Sequence, residues 1–190
     1  CQANLGVKIH DAKDPAQSLG PMFQQVIHTL FVLMEQNETA WKAVKGSRTV
    51  PLFGLEKLME PNPIAVDLEG LVKEYKTGFR HFKGLYKDIF CPDCFEALKK
   101  CAKKAKTKFI MPVKTWVMVL YETAATFHRW KDNRTQLVNL VTPLYLGRVA
   151  SFINQTKKMT SVEAEEVVEQ QAQVFEDEKD YLIEIWDAKM

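Results

Sequence analysis

Long apolar runs are missing from this chain. Nowhere do about 18 uninterrupted apolar residues follow one another, and the N-terminus lacks the basic stretch, apolar core and small-residue cleavage site of a secretory signal. A spanning segment is not expected, and a cytoplasmic location is. Cysteine is also sparse: four in 190 residues cannot staple a disulfide scaffold, which fits a reducing compartment. Gly-x-Gly-x-x-Gly, Walker A, His-Glu-x-x-His and Gly-x-Ser-x-Gly strings are absent, which removes the commonest cofactor and nucleophile signatures. Net charge is nearly absent too. The formal value of +2 gives no reason to expect a nucleic-acid partner.

The charge is unevenly spread. Residues 73 to 108 carry eleven Lys or Arg against four acids, whereas residues 161 to 190 carry ten acids against two Lys. With 46% hydrophobic residues the chain can bury a core, and disorder is excluded.

Periodicity separates two regions. Ala3, Leu5, Val7 and Ile9 alternate with polar or small residues up to His10, as in a strand with one buried face. Few other strand patterns follow, so the sheet partners of this strand are expected in polypeptide upstream of Cys1. From Ser18 onward the spacing is helical. Ser18 is placed to cap a helix with Pro21 in its first turn and Met22, Phe23, Val26, Ile27, Leu30, Phe31, Leu33 and Met34 at intervals of three and four. A looped section follows, in which Val50, Leu52, Phe53 and Leu55 are expected to anchor against the body.

Further helices are expected from Leu68 to about Gly84, from Pro92 through Cys101, and from Pro112 along the stripe Val113, Trp116, Val117, Leu120, Tyr121, Ala124, Phe127 and Trp130. Thr142-Pro143 reads as a helix start, and Thr160-Ser161-Val162-Glu163 as a capping box opening one helix of about seven turns that reaches Trp186. The fold class is mainly α, with a short β segment at the N-terminus. Two parts follow: 1–17, a terminal strand and loop, and 18–190, a helical domain.

Most polar clusters have an ordinary structural explanation. Lys73, Lys76, Arg80 and Lys83, then Lys99, Lys100, Lys103, Lys104, Lys106 and Lys108, form basic faces best explained as solvated surface, with anion or membrane attraction the alternative. Cys91, Cys94 and Cys101, with His81 or His128, have the residue types of a zinc site, and Cys91-x-x-Cys94 those of a redox pair; ordinary reduced cysteines remain the favoured reading. His28, His81 and His128 have apolar or aromatic neighbours and read as structural. Glu165 and Glu169 share a helix face, as any acidic helix allows.

His10 is the best local candidate. It follows a strand and precedes the polar turn Asp11, Lys13, Asp14. A neutral imidazole there can complete an octahedral Mg²⁺ or Mn²⁺ site with carboxylates and diphosphate oxygens, and Lys13 can offset diphosphate charge.

The stretches Asn4 to His10, Leu19-Gly20-Pro21-Met22 and Gln25 to Leu30 resemble the middle of retaining glycosyltransferases related to glucosyl-3-phosphoglycerate synthase. Pro143 to Phe152 is similar to the helical C-terminal region of that family. The resemblance implies an upstream GT-A domain whose sheet the N-terminal strand would complete and whose carboxylate motif, absent from this chain, would hold Mg²⁺ or Mn²⁺ together with His10. It further implies a nucleotide-sugar donor, with Lys13 at the diphosphate, a small hydroxyl acceptor such as 3-phosphoglycerate, and a homodimer. The chain would then be the C-terminal half of the enzyme and inactive alone. Where the family has an Arg-Asn-Arg character after the histidine, this chain has Asp11, Ala12 and Lys13, so the acceptor need not be phosphoglycerate. The competing expectation is a noncatalytic helical interaction or dimerisation module whose interface is the helix from Thr160 to Trp186.

Overall fold

The computed structural model describes residues 2–3, 15–46, 51–54 and 66–188. It is mainly α-helical, as the periodicity predicts. The elements are β1 (Gln2–Ala3), α1 (Pro15–Gln36), α2 (Glu38–Ala43), β2 (Leu52–Phe53), α3 (Leu68–His81), α4 (Lys83–Ile89) and α5 (Pro92–Ala102). A 3₁₀ turn (Lys106–Lys108) leads to α6 (Val113–Arg129), α7 (Arg134–Thr156), α8 (Ser161–Asp177) and α9 (Lys179–Asp187).

The strands pair in parallel, Gln2 opposite Leu52 and Ala3 opposite Phe53. One neighbour of β1 thus lies within the chain, at β2. Phe53 is 60% exposed and does not anchor against the body; Val50 and Leu55 lie outside the described residues.

Helix α6 is central, with Trp116, Val117, Val119, Ala124, Ala125 and Phe127 all buried. Around it α1 contributes Phe23, Ile27 and Phe31, and α7 contributes Leu137, Val138, Leu140, Val141 and Leu144, while α3 packs on α7 and adds Leu71, Val72, Tyr75 and Phe79 to the core. Burial of side chains this large, at about 1.5 to 3 kcal/mol each, drives the assembly.

Helices α3 and α7 approach closely because two glycines permit it. A Cβ on Gly78 would lie 2.3 Å from Pro143 Cβ, and one on Gly147 would lie 2.3 Å from Tyr75 Cδ2. The Tyr75 hydroxyl donates to the Leu98 carbonyl (2.8 Å) and that of Tyr86 to the Leu140 carbonyl (2.7 Å), so buried phenols are hydrogen-bonded as well as packed.

Three helix boundaries differ from the sequence expectation. Helix α1 starts at Pro15, so Pro21 sits inside it and Ser18 is not its cap. Thr142-Pro143 does not start a helix: α7 runs from Arg134, and Pro143 is interior. The Thr142 hydroxyl donates to the Val138 carbonyl and accepts from Gln24 Nε2, both at 3.1 Å. Burial of Leu137, Val138, Leu140 and Val141 ahead of the proline and of Leu144 after it holds both halves in one helix against the roughly 3 kcal/mol that an interior proline costs. The helix from Thr160 breaks at Glu178 into α8 and α9. Leu182 and Trp186 join the main core, whereas Val167, though buried, lies apart from it. The capping box is present: the Glu163 amide donates to Thr160 Oγ1 (3.3 Å), and the Thr160 amide donates to Glu163 Oε2 (2.7 Å).

Candidate functional site

His10 and Lys13 lie outside the described residues.

Among the described residues, a buried polar group lies where the start of α5, α6 and α9 come together. Glu122 stands in an otherwise apolar and small-residue stretch of α6 and is only 5% exposed. Its Oε2 accepts from the Cys91 amide (2.8 Å) and its Oε1 from the Tyr181 hydroxyl (2.7 Å). These two bonds satisfy a carboxylate that burial would otherwise penalise by several kcal/mol. Ile89, Cys91, Arg129, Tyr181, Ile185 and Glu122 line a cleft of about 240 Å³. Burial and the neighbouring Glu122 both push the Cys91 thiol above its ordinary range, and they act on Tyr181 in the same way.

Cys91 is the N-cap of α5: its Sγ accepts from the Cys94 amide at 3.4 Å, and Pro92 fills the first helical position. Cys94 Sγ faces the Thr115 carbonyl at 4.0 Å and Cys101 Sγ faces the Ile110 carbonyl at 3.6 Å. Cys94 and Cys101 thus face separate carbonyls while Cys91 accepts from an amide, and no group of three His, Cys, Asp or Glu side chains able to hold a metal occurs among the described residues. The zinc reading gains no support from this arrangement.

The histidines have packing roles. His28 meets Phe127 edge-on at 5.2 Å, His81 meets Phe82 at 4.6 Å, and His128 stacks on Trp186 at 4.3 Å. His128 Nδ1 also lies 3.0 Å from Glu35 Oε1, which accepts from Lys131 (2.9 Å) and Arg134 (2.5 Å) as well. The basic faces are mostly solvated, as Lys73, Arg80, Lys83, Lys100, Lys103 and Lys108 show, while Lys106 pairs with Glu69 and Lys99 with Glu96. Glu165 and Glu169 are exposed.

Sequence reading overlooked Glu122 and Tyr181. The signal was present for the first: a lone acid among Val119, Leu120, Tyr121, Thr123, Ala124 and Ala125 must find buried partners or disrupt the helix face. Tyr181 carries no such mark, because its role depends on the break at Glu178 that turns α9 toward α6.

No protein-family model matches the chain, and neither a curated protein nor a solved structure is significantly similar to it. Among the described residues no helix is long and apolar enough to cross a membrane.

Proposed function

We propose that this chain is the helical C-terminal portion of a metal-dependent glycosyltransferase that moves a sugar from a nucleoside-diphosphate sugar to a small hydroxyl acceptor. The reading rests on the resemblance of Asn4 to Leu30. The observation that carries it is in the sequence: His10, with Lys13 close behind, follows the alternating stretch Ala3 to Ile9.

His10 offers one donor of an octahedral set, so the proposal requires carboxylates from an attached nucleotide-binding α/β domain. A divalent ion bound there would offset the charge that grows on the departing diphosphate. Within this chain, His10 is the imidazole ligand and Lys13 the cation facing the diphosphate. The Lys13 ammonium is a point charge, and Ala12 supplies no polar contact, which suits an acceptor that needs fewer donors than a phosphate does.

The test uses the polypeptide encoded by the complete gene. Incubated with Mg²⁺ or Mn²⁺ and a panel of nucleoside-diphosphate sugars, it should release nucleoside diphosphate only when metal is present. His10→Ala should lower that turnover tenfold or more. Metal-independent release, or full activity in the variant, overturns the assignment.

A second reading, a helical interaction module, is favoured by a different surface from the one expected. The segment from Thr160 to Trp186 is not one continuous helix, and α9 is occupied in the core. Helix α1 instead exposes Met22, Val26, Leu30 and Leu33 in a stripe at helical spacing, each about half exposed or more. If this stripe joins two copies, Val26→Glu should convert a dimer to a monomer in sedimentation. A wild type that is monomeric at all concentrations removes this reading.

A further inference from the structure

We infer that Cys91 and Cys94 form a reversible dithiol–disulfide pair that responds to low-molecular-weight disulfides, exemplified by oxidised glutathione. The inference is independent of the transferase reading. It rests on the placement of two thiols at the start of α5 and on the cleft that gives one of them access.

Cys91 has the extended backbone of an N-cap residue (φ −57°, ψ 157°), which folds its side chain back over the first helical turn. Its sulfur is already 3.4 Å from the amide nitrogen of Cys94. Rotation about the Cα–Cβ bond of Cys94 brings the second sulfur toward the first, and what that thiol leaves is only a 4.0 Å contact with the Thr115 carbonyl, the outer limit of a weak S–H bond. Cys101, two helical turns on and facing Ile110, takes no part.

Access is graded. Cys91 is half-buried and lines the 240 Å³ cleft, whereas Cys94 is 3% exposed. Cys91 is therefore the attacking sulfur and Cys94 the resolving one. Arg129 lines the same cleft and gives it a cation suited to an anionic disulfide.

The chemistry balances without any bound group. Cys91 loses its proton to solvent, and its thiolate attacks one sulfur of oxidised glutathione, forming a mixed disulfide and expelling one glutathione thiolate. Cys94, deprotonated in turn, attacks the Cys91 sulfur and expels the second. The protein loses two protons and two electrons, and oxidised glutathione becomes two molecules of glutathione. Burial and the facing Glu122 carboxylate disfavour the Cys91 thiolate, so the pair responds slowly.

The test equilibrates the folded chain with reduced and oxidised glutathione and analyses it by non-reducing digestion and mass spectrometry. The peptide holding Cys91 and Cys94 should lose two hydrogens and regain them with dithiothreitol. Cys94→Ser should stop at one glutathionyl group on Cys91, and Cys91→Ser should leave Cys94 unmodified while the protein stays helical by circular dichroism. Free thiols at both positions in wild type under excess oxidised glutathione overturn the inference. So does a folded Cys94→Ser protein that carries no adduct on Cys91. The wild-type measurement decides the matter should either variant fail to fold.

Discussion

Gly147 lies against the ring of Tyr75, where a Cβ would be 2.3 Å from Cδ2 and 2.9 Å from Cγ. The ring cannot retreat freely, because it is fully buried, meets Phe109 edge-on at 4.9 Å and holds the Leu98 carbonyl through its hydroxyl. Alanine at this position gains about 1 kcal/mol of helix propensity. Against that, inserting a methyl into a packed core costs about 1 to 3 kcal/mol, and the absence of room here places the cost at the upper end. Gly147→Ala should therefore lower stability by about 1 to 2 kcal/mol in urea unfolding; a stabilised variant would mean that α3 and α7 do not meet as described.

Gly78 is held in the same way by Pro143. Pro143→Ala restores a helix amide and removes the ring that Gly78 accommodates. The double replacement Gly78→Ala with Pro143→Ala should be less destabilising than the sum of the single effects, by about 0.5 to 3 kcal/mol in a double-mutant cycle. Simple additivity would show that the two residues are not in contact.

Glu35 should make stability depend on acid. Burial opposes ionisation of this carboxyl, yet hydrogen bonds from Lys131, Arg134 and His128 outweigh it and hold the group below its ordinary 4.5. A carboxyl depressed on folding contributes stability that is present above its unfolded value and lost as pH falls through the folded one. The difference in melting temperature between wild type and Glu35→Gln should thus be widest at neutral pH and narrow below pH 4.5. A gap that stays constant down to acid unfolding would contradict the pairing.

Removing the Glu122 charge should make Cys91 more reactive. The groups facing this thiol are Glu122 from α6, Tyr181 from α9, and the amides of Cys94 and Asp93 at the start of α5. The amides favour the thiolate, while burial and Glu122 oppose it. In Glu122→Gln, alkylation of Cys91 by iodoacetamide at pH 7.5 should accelerate roughly threefold or more. Tyr181→Phe, which leaves the carboxylate in place, should change the rate far less. Equal rates in wild type and Glu122→Gln would remove the carboxylate from any control of the thiol.

On the proposed transferase reading, Lys13 and His10 should fail differently in the polypeptide of the complete gene. His10→Ala should shift the metal concentration required for activity. Lys13→Ala should leave that requirement unchanged and lower kcat at saturating donor, as expected if its charge acts on the departing diphosphate. Identical metal dependence and kcat in wild type and Lys13→Ala would exclude the lysine from that role.

The sequence by itself determined that the chain is mainly helical and supplied part of the core. Phe23, Ile27 and Phe31 on α1, the stripe of α6, and the cap at Thr160 follow from spacing and local hydrogen bonding, which are encoded within one or two turns. Tertiary structure decided where propensity and packing disagree. Pro143 looks like a helix start until Gly78 and the residues buried on both sides of it hold α7 together. Met22, Val26, Leu30 and Leu33 match the core pattern yet remain outside, because a helix shows apolar periodicity on any face while neighbours cover only some. Nor can periodicity bring Glu122, Cys91 and Tyr181 together: they are separated by 31 and 59 residues, and their meeting depends on the turn at Glu178 and the placement of α5.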